Sequence, residues 1–203
     1  MSVSKKLKQY ASKRSFDKTP EPKPEIKESQ NKNVFVIQEH HARQLHYDFR
    51  LEIDGVLKSW AVPKGPSTDP REKRLAALTE DHPLEYAYFE GIIPQGYGAG
   101  TVIVWDVGTY DNITEKNGKQ ITMSEAFDNG HIVLFLHGKK LRGGYAITKF
   151  RENDWLLVKM DDQYADARRN PVNTEPESVL SGVTIKELDK KFKREQVEHA
   201  ERD

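Results

Sequence analysis

The chain has 203 residues, 36% hydrophobic and 32% charged, with 32 basic side chains balanced by 32 acidic ones. It has no cysteine, which excludes disulfides, thiolate zinc sites, iron–sulfur clusters and cysteine nucleophiles, so a divalent metal would need His, Asp, Glu or water as ligands. With zero formal charge, a nucleic-acid partner must be met by local placement of Lys and Arg, not by the field of the whole chain.

Residues 1–33 are polar, and Lys and Arg outnumber Asp and Glu there by 9 to 4. This composition predicts a basic, largely flexible N-terminal arm, able to close over a nucleic-acid substrate. Its first residues, MSVSKKLKQYASKR, lead into no apolar stretch and are no secretory signal. No apolar run approaches the roughly 18 residues of a membrane span, so a cytoplasmic protein is expected.

Residues 34–165 read as a single β domain. Short apolar or alternating runs recur between turn signals: Val34–Ile37, Leu45–Ile53, Ser59–Val62, Leu75–Thr79, Tyr86–Phe89, Thr101–Trp105, Ile132–Leu136, Tyr145–Phe150 and Trp155–Lys159. Asp54-Gly55 predicts a hairpin turn, and Ser124–Asp128 a single helical turn. Many short strands at close spacing predict a mainly β fold, a sandwich or barrel with few short helices. Residues 166–203 read as a polar linker and a C-terminal helix, opened by the capping pattern Thr184-x-x-Glu187.

The chemistry concentrates in the second run, Leu45-His-Tyr-Asp-Phe-Arg-Leu-Glu-Ile53. Alternation puts Leu45, Tyr47, Phe49, Leu51 and Ile53 on one face of a strand, and His46, Asp48, Arg50 and Glu52 on the other. His46 and Asp48, about 7 Å apart along the strand, can converge on one cation. Upstream, His40 or His41 supplies a second imidazole. Two imidazoles and a carboxylate suit manganese, iron or zinc and leave positions open for water and substrate. Arg50 follows on the same face with a guanidinium fork that matches a phosphate.

Glu80-Asp81-His82-Pro83-Leu84-Glu85-Tyr86 brings a further His, carboxylates and a Tyr into one turn, where His82 and Tyr86 can donate to a phosphate. Lys64, Arg71, Lys73 and Arg74 can reach a phosphate backbone. The Gly-rich run 91–100 lacks the Gly-Lys-Ser/Thr ending of a P-loop and leads into a strand, so it reads as a shaped turn.

The segments FVIQEHHARQLHYDFRLEIDGVLKSWAVPKGPS and LTEDHPLEYAYFEGIIPQGYGAGTVIVWDVGTY closely resemble the 3′-phosphoesterase domain of bacterial DNA ligase D. The resemblance is strong over residues 34–165 and weaker in the arm and tail. It implies a small closed or crescent-shaped β-barrel and a manganese-dependent site, with other divalent transition metals as alternatives. It also implies a DNA 3′-end-healing activity. A terminal 3′-ribonucleotide is removed by a phosphodiesterase step, then the 3′-phosphate by a phosphomonoesterase step, leaving a 3′-hydroxyl for ligation.

Carried over by position, the resemblance selects His40 over His41 and implies His40, His46 and Asp48 as metal ligands. It places Arg50, His82 and Tyr86 at the scissile phosphate, with His82 stabilising the transition state. Glu80, Lys64 and Arg74 match supporting positions, and Arg14 and Glu21 match the arm. Ser15 stands where the family often has Asp, and the turn Pro94-Gln-Gly-Tyr-Gly is one residue shorter than in many bacterial members. With 203 residues and no room for a polymerase or ligase domain, a stand-alone protein is expected, with DNA primer–template 3′ ends as substrate and a separate DNA ligase, polymerase or Ku-like protein as partner. The alternatives are a catalytically weak end-binding module that recruits such a protein, and a metal-dependent esterase of small phosphomonoesters.

Overall fold

The computed structural model describes residues 4–26 and 33–200. Residues 1–3 and 27–32 of the expected arm, and 201–203 of the tail, lie outside the described residues.

Eight antiparallel strands close into a barrel: β1 (Val34–His41), β2 (Leu45–Ile53), β3 (Val56–Val62), β4 (Lys73–Leu78), then, in space, β11 (Asp154–Lys159), β10 (Arg142–Lys149), β9 (His131–His137) and β6 (Gly100–Asn112), which pairs back with β1. A short strand, β5 (Gly91–Ile93), adds to the free edge at the start of β6. The pair β7 (Glu115–Lys116) and β8 (Lys119–Gln120) forms a separate hairpin. Closure leaves no unpaired barrel edge. The β2–β3 hairpin turns on Asp54 and Gly55, both left-handed at φ 52 and 79, as a tight two-residue hairpin turn requires.

Strand alternation sorts the side chains into two layers. Phe35, Ile37, Tyr47, Phe49, Leu51, Trp60, Trp105, Leu134, Tyr145 and Trp155 fill the barrel interior, all buried. The opposite face of β1, β3 and β6 carries a second apolar cluster, with Val36, Leu57, Val102 and Val104 beneath Tyr10, Tyr86 and Phe89. The polar face of β2 therefore lies on the outer wall of the barrel, beside this second cluster.

Several elements depart from the sequence reading. The run Tyr86–Phe89, expected as a strand, is the end of a 3-10 helix over Leu84–Tyr88. Pro83 precedes it, and the bonds from Tyr86 N to Pro83 O and Phe89 N to Tyr86 O close three-residue turns. A four-residue apolar run of this kind does not distinguish a short strand from a helical turn by its pattern alone. The expected helical turn is α2 (Met123–Asp128), with a full capping box between Thr122 and Glu125.

The arm over residues 4–26 packs on the barrel. A 3-10 turn (Lys5–Leu7) runs into α1 (Lys8–Ser12), and Leu7 and Tyr10 are fully buried. Tyr10 contacts Phe16, His82 and Tyr86 edge-on or tilted, and its hydroxyl donates to Pro22 O at 2.7 Å. The tail forms α3 (Pro171–Thr174) and α4 (Ile185–Ala200). The expected capping box of α4 is present: Thr184 N and Oγ1 each donate to Glu187 at 2.8 Å. Among the described residues no helix is long and apolar enough to cross a membrane.

Candidate functional site

The register of β1 against β2 sets His40 opposite His46 and Gln38 opposite Asp48. All four side chains, with Arg50, share the outer face. His40, His46 and Asp48 bring one ligand atom each within 4.8 Å of one another. His40 Nδ1 lies 3.6 Å from Asp48 Oδ2, and His46 Nε2 lies 3.6 Å from Asp48 Oδ1.

The second nitrogen of each imidazole meets a backbone carbonyl. His40 Nε2 donates to Gly98 O at 2.9 Å, and His46 Nδ1 donates to Gln44 O at 3.0 Å. These contacts assign the tautomers, leaving one lone pair per ring directed at the Asp48 carboxylate. Burial alone would raise the Asp48 carboxyl, but the Arg50 guanidinium outweighs it and holds the carboxyl well below the usual carboxylate range. Two fixed imidazole lone pairs and an ionised carboxylate fit a divalent transition metal, with coordination positions to spare. His41, the other candidate, points away: its Nδ1 bonds Asp189 of α4 at 2.7 Å.

Arg50 is buried, and its guanidinium faces three side chains. Nη2 donates to Asp48 Oδ2 at 3.0 Å and Nε to Gln38 Oε1 at 2.8 Å, while Nη1 lies 3.0 Å from His82 Nδ1. Gln38 in turn donates to the carbonyls of Tyr86 and Phe89. It thereby locks the 3-10 helix to the barrel wall. Sequence reading missed Gln38, although it stands two residues before His40 on the same strand face.

His82 is held against β3 by paired backbone bonds with Leu57. Its Nδ1 lies 2.8 Å from Glu80 O and 3.3 Å from Ser59 Oγ, and Arg14 Nη2 approaches Nε2 at 3.4 Å. Donation from Nδ1 to Glu80 O leaves Nε2 to accept from Arg14. Burial, then Arg50 and Arg14, push the His82 pKa well below its ordinary value, so the ring is neutral.

Tyr86 and the arm complete the pocket. The Tyr86 hydroxyl donates to Glu21 Oε1 at 2.9 Å, and Arg14 Nε donates to the same oxygen at 2.8 Å. Arg14 Nη1 reaches Glu80 Oε1 at 3.1 Å, and Lys13 Nζ reaches Glu80 Oε2 at 3.0 Å. Burial raises Glu80, but Lys13 and Arg14 reverse this and leave its carboxyl below the ordinary value. An oxyanion already sits between the Tyr86 and Arg14 donors, so this donor set accommodates negative charge.

The resulting cavity, of about 210 Å³, is lined by His40, His46, Asp48, Arg50, Glu80, His82, Tyr86 and Arg14, with Tyr97 and Gly98 of the Gly-rich turn. The structure thus gathers nine of the eleven residues singled out from sequence, Glu21 joining through its bonds to Tyr86 and Arg14. Lys64 is exposed in the turn after β3, and Arg74 on β4 pairs with Glu72; neither lines this cavity. Ser59 and Lys13 were not anticipated, and Tyr97 enters with the Gly-rich turn. Lys13 was signalled only by its place beside Arg14.

The DNA Ligase D 3′-phosphoesterase domain family matches residues 38–149. The multifunctional non-homologous end joining protein LigD of Pseudomonas aeruginosa is 47% identical over 195 residues, covering 91% of this chain and 22% of that protein. The same-named protein of Mycolicibacterium smegmatis is 49% identical over 168 residues, covering 79% of this chain and 21% of that protein. The multifunctional non-homologous end joining DNA repair protein LigD of Mycobacterium tuberculosis is 49% identical over 163 residues, covering 79% and 20%. The chain spans about a fifth of the length of these relatives. Segment match and identity together make this chain a member of the DNA ligase D 3′-phosphoesterase domain family.

Proposed function

We propose that the chain is a manganese-dependent hydrolase that heals DNA 3′ ends. It removes a terminal 3′-ribonucleotide and then the remaining 3′-phosphate, leaving a 3′-hydroxyl for a separate ligase in non-homologous end joining. The observation that carries this reading is the sharing of Asp48: one carboxylate faces two imidazole lone pairs and also accepts from Arg50, the first of the phosphate donors.

A bound manganese ion supplies Lewis-acid polarisation of a phosphate oxygen and lowers the pKa of a coordinated water. His40, His46 and Asp48 would hold it. Arg50 and Arg14 flank His82 and, with the Tyr86 hydroxyl, present hydrogen-bond donors to the phosphoryl oxygens. In the free protein burial, with the two guanidiniums, keeps His82 neutral. A phosphate seated between them offsets their charge and favours a proton on Nε2. His82 then donates to the oxygen on which negative charge develops. Glu80 and Glu21 orient Arg14, and Gln38 orients Arg50. Lys64 and Arg74 contact backbone phosphates further from the end, so base sequence has little influence and salt weakens binding.

The test is a labelled DNA primer–template ending in one ribonucleotide, incubated with manganese, magnesium or chelator and resolved on a gel. Manganese-dependent shortening to a 3′-phosphate, then a 3′-hydroxyl, is expected. Binding without product in any metal would replace this reading with that of an end-binding module.

A further inference from the structure

Tyr97 lies in the Gly-rich turn between β5 and β6, between two left-handed glycines, Gly96 and Gly98, at φ 86 and 77. Its side chain lines the metal cavity together with His46, Asp48 and Glu80. It also borders the clefts on either side of that cavity. One runs under the arm past Lys13 and Ser15, and the other runs past Arg43 and Gln44 of the β1–β2 turn. Of the two tyrosines in the cavity wall, Tyr86 is 2% exposed and Tyr97 is 49% exposed.

The exposed ring is nevertheless held in place. Its hydroxyl donates to Glu80 Oε2 at 3.4 Å, and Lys13 Nζ sits 4.1 Å from the ring centroid. One residue further on, Gly98 supplies the carbonyl that fixes His40. Half-exposed, Tyr97 contributes little to the core, yet it is anchored at the junction of the cavity with both clefts.

We propose that Tyr97 is the platform on which the 3′-terminal nucleobase of the substrate strand stacks, making it a positioning residue for the strand end. This inference rests on the reading that nucleic-acid 3′ ends are the substrate. A phosphate seated among Arg50, His82 and the metal ligands carries its nucleosides outward toward the cavity rim, where Tyr97 is the exposed aromatic wall. Stacking tolerates every base, because each has a π face. It therefore suits an end-processing site that reads no sequence. A ring already fixed at its hydroxyl loses little freedom when a base settles on it. Lys13, above the ring, adds a cation near the adjoining phosphate.

The test uses a primer–template whose terminal ribonucleotide carries a fluorescent aminopurine. Binding is measured in chelator, where turnover is not required, and cleavage separately in manganese. The wild-type chain and Tyr97→Phe are expected to quench the terminal base, and Tyr97→Ala to leave it bright. Ribonucleotide removal by Tyr97→Ala is expected to slow by about tenfold, with the loss mainly in KM, and Tyr97→Phe to stay within about twofold. An abasic terminal nucleotide is expected to cost the wild type a similar factor, and the two losses are not expected to add, as for groups in direct contact. Equal quenching by Tyr97→Ala, or additive losses, overturns the inference while leaving the proposed function standing. Tyr97-dependent quenching in a chain that cleaves nothing supports the inference and overturns the proposed function.

Discussion

Arg50 Nη2 donates to Asp48 Oδ2 at 3.0 Å, so the proposed phosphate-binding donors and the candidate metal ligands share one carboxylate. Lysine has a single point of charge and cannot span Gln38, Asp48 and His82 together. Arg50→Lys is therefore expected to lower kcat/KM for a 3′-phosphate by about 100-fold, the loss typical of a missing oxyanion donor. It is also expected to weaken manganese binding by about tenfold, because Asp48 loses the contact that orients it. Steady-state kinetics with a manganese titration separates the two effects. Wild-type metal affinity in Arg50→Lys would show that the two halves of the site are independent.

His82 carries a pH signature. Burial first, then Arg50 and Arg14, depress its pKa well below the ordinary histidine value. A histidine held neutral contributes stability that is fully present above the unfolded-state pKa of about 6.5. That stability is lost as the pH falls below this value, because the unfolded chain binds a proton that the native chain does not. The wild-type unfolding free energy should therefore fall more steeply than that of His82→Gln below pH 6.5, with an excess slope of about 1.4 kcal/mol per pH unit. Urea melts at pH 6.0 and 5.0 measure this difference. Parallel slopes would mean that His82 protonates in the native state.

Arg14 stands between two carboxylates, with side-chain exposures of 4% for Arg14 and 1% for both Glu21 and Glu80. Removing the shared cation leaves Glu21 buried with no cation, while Glu80 keeps Lys13. Arg14→Ala is expected to cost about 3 kcal/mol of stability, the scale for breaking a buried ion pair from one side. Adding Glu21→Gln should recover part of that loss, since one stranded charge disappears. Denaturant midpoints of the single and double variants check this. A double variant less stable than Arg14→Ala would place the cost in packing and not in charge.

Much of the site was legible because β2 obeys a period of two over all nine of its residues, so one strand displays its chemistry on one face. The same rule applied to β1 would have found Gln38. The resemblance selects His40 over His41, but the residues alone leave both open, because the choice rests on the cross-strand register that pairs His40 with His46, and spacing along one strand does not contain it. The 3-10 helix over Leu84–Tyr88 escaped because the four-residue apolar run Tyr86–Phe89 fits a short strand equally well. The docking of the arm escaped for a different reason. Leu7 and Tyr10 are two apolar side chains in a polar stretch, and it is the surface of His82 and Tyr86 that Tyr10 packs against. The Gly-rich run signals a shaped turn at the site, but the contact of Tyr97 with Glu80 needs the folded turn.

The metal assignment has a direct thermal test. A ligand that binds only the native state raises stability by about 2.7 kcal/mol at a hundredfold excess over its Kd, about 5–10 °C in Tm for a chain of this size. Manganese is expected to raise the wild-type Tm by that order. The shift should vanish in Asp48→Asn, which removes the charge with almost no change of shape, and in His40→Ala, which removes one imidazole lone pair. His41→Ala should keep the shift, because His41 turns to Asp189 on α4 and away from Asp48. Loss of the shift in His41→Ala and its survival in His40→Ala would move the ligand set by one residue, placing the cation on the opposite side of β1 from Arg50 and His82 and severing it from the phosphate donors.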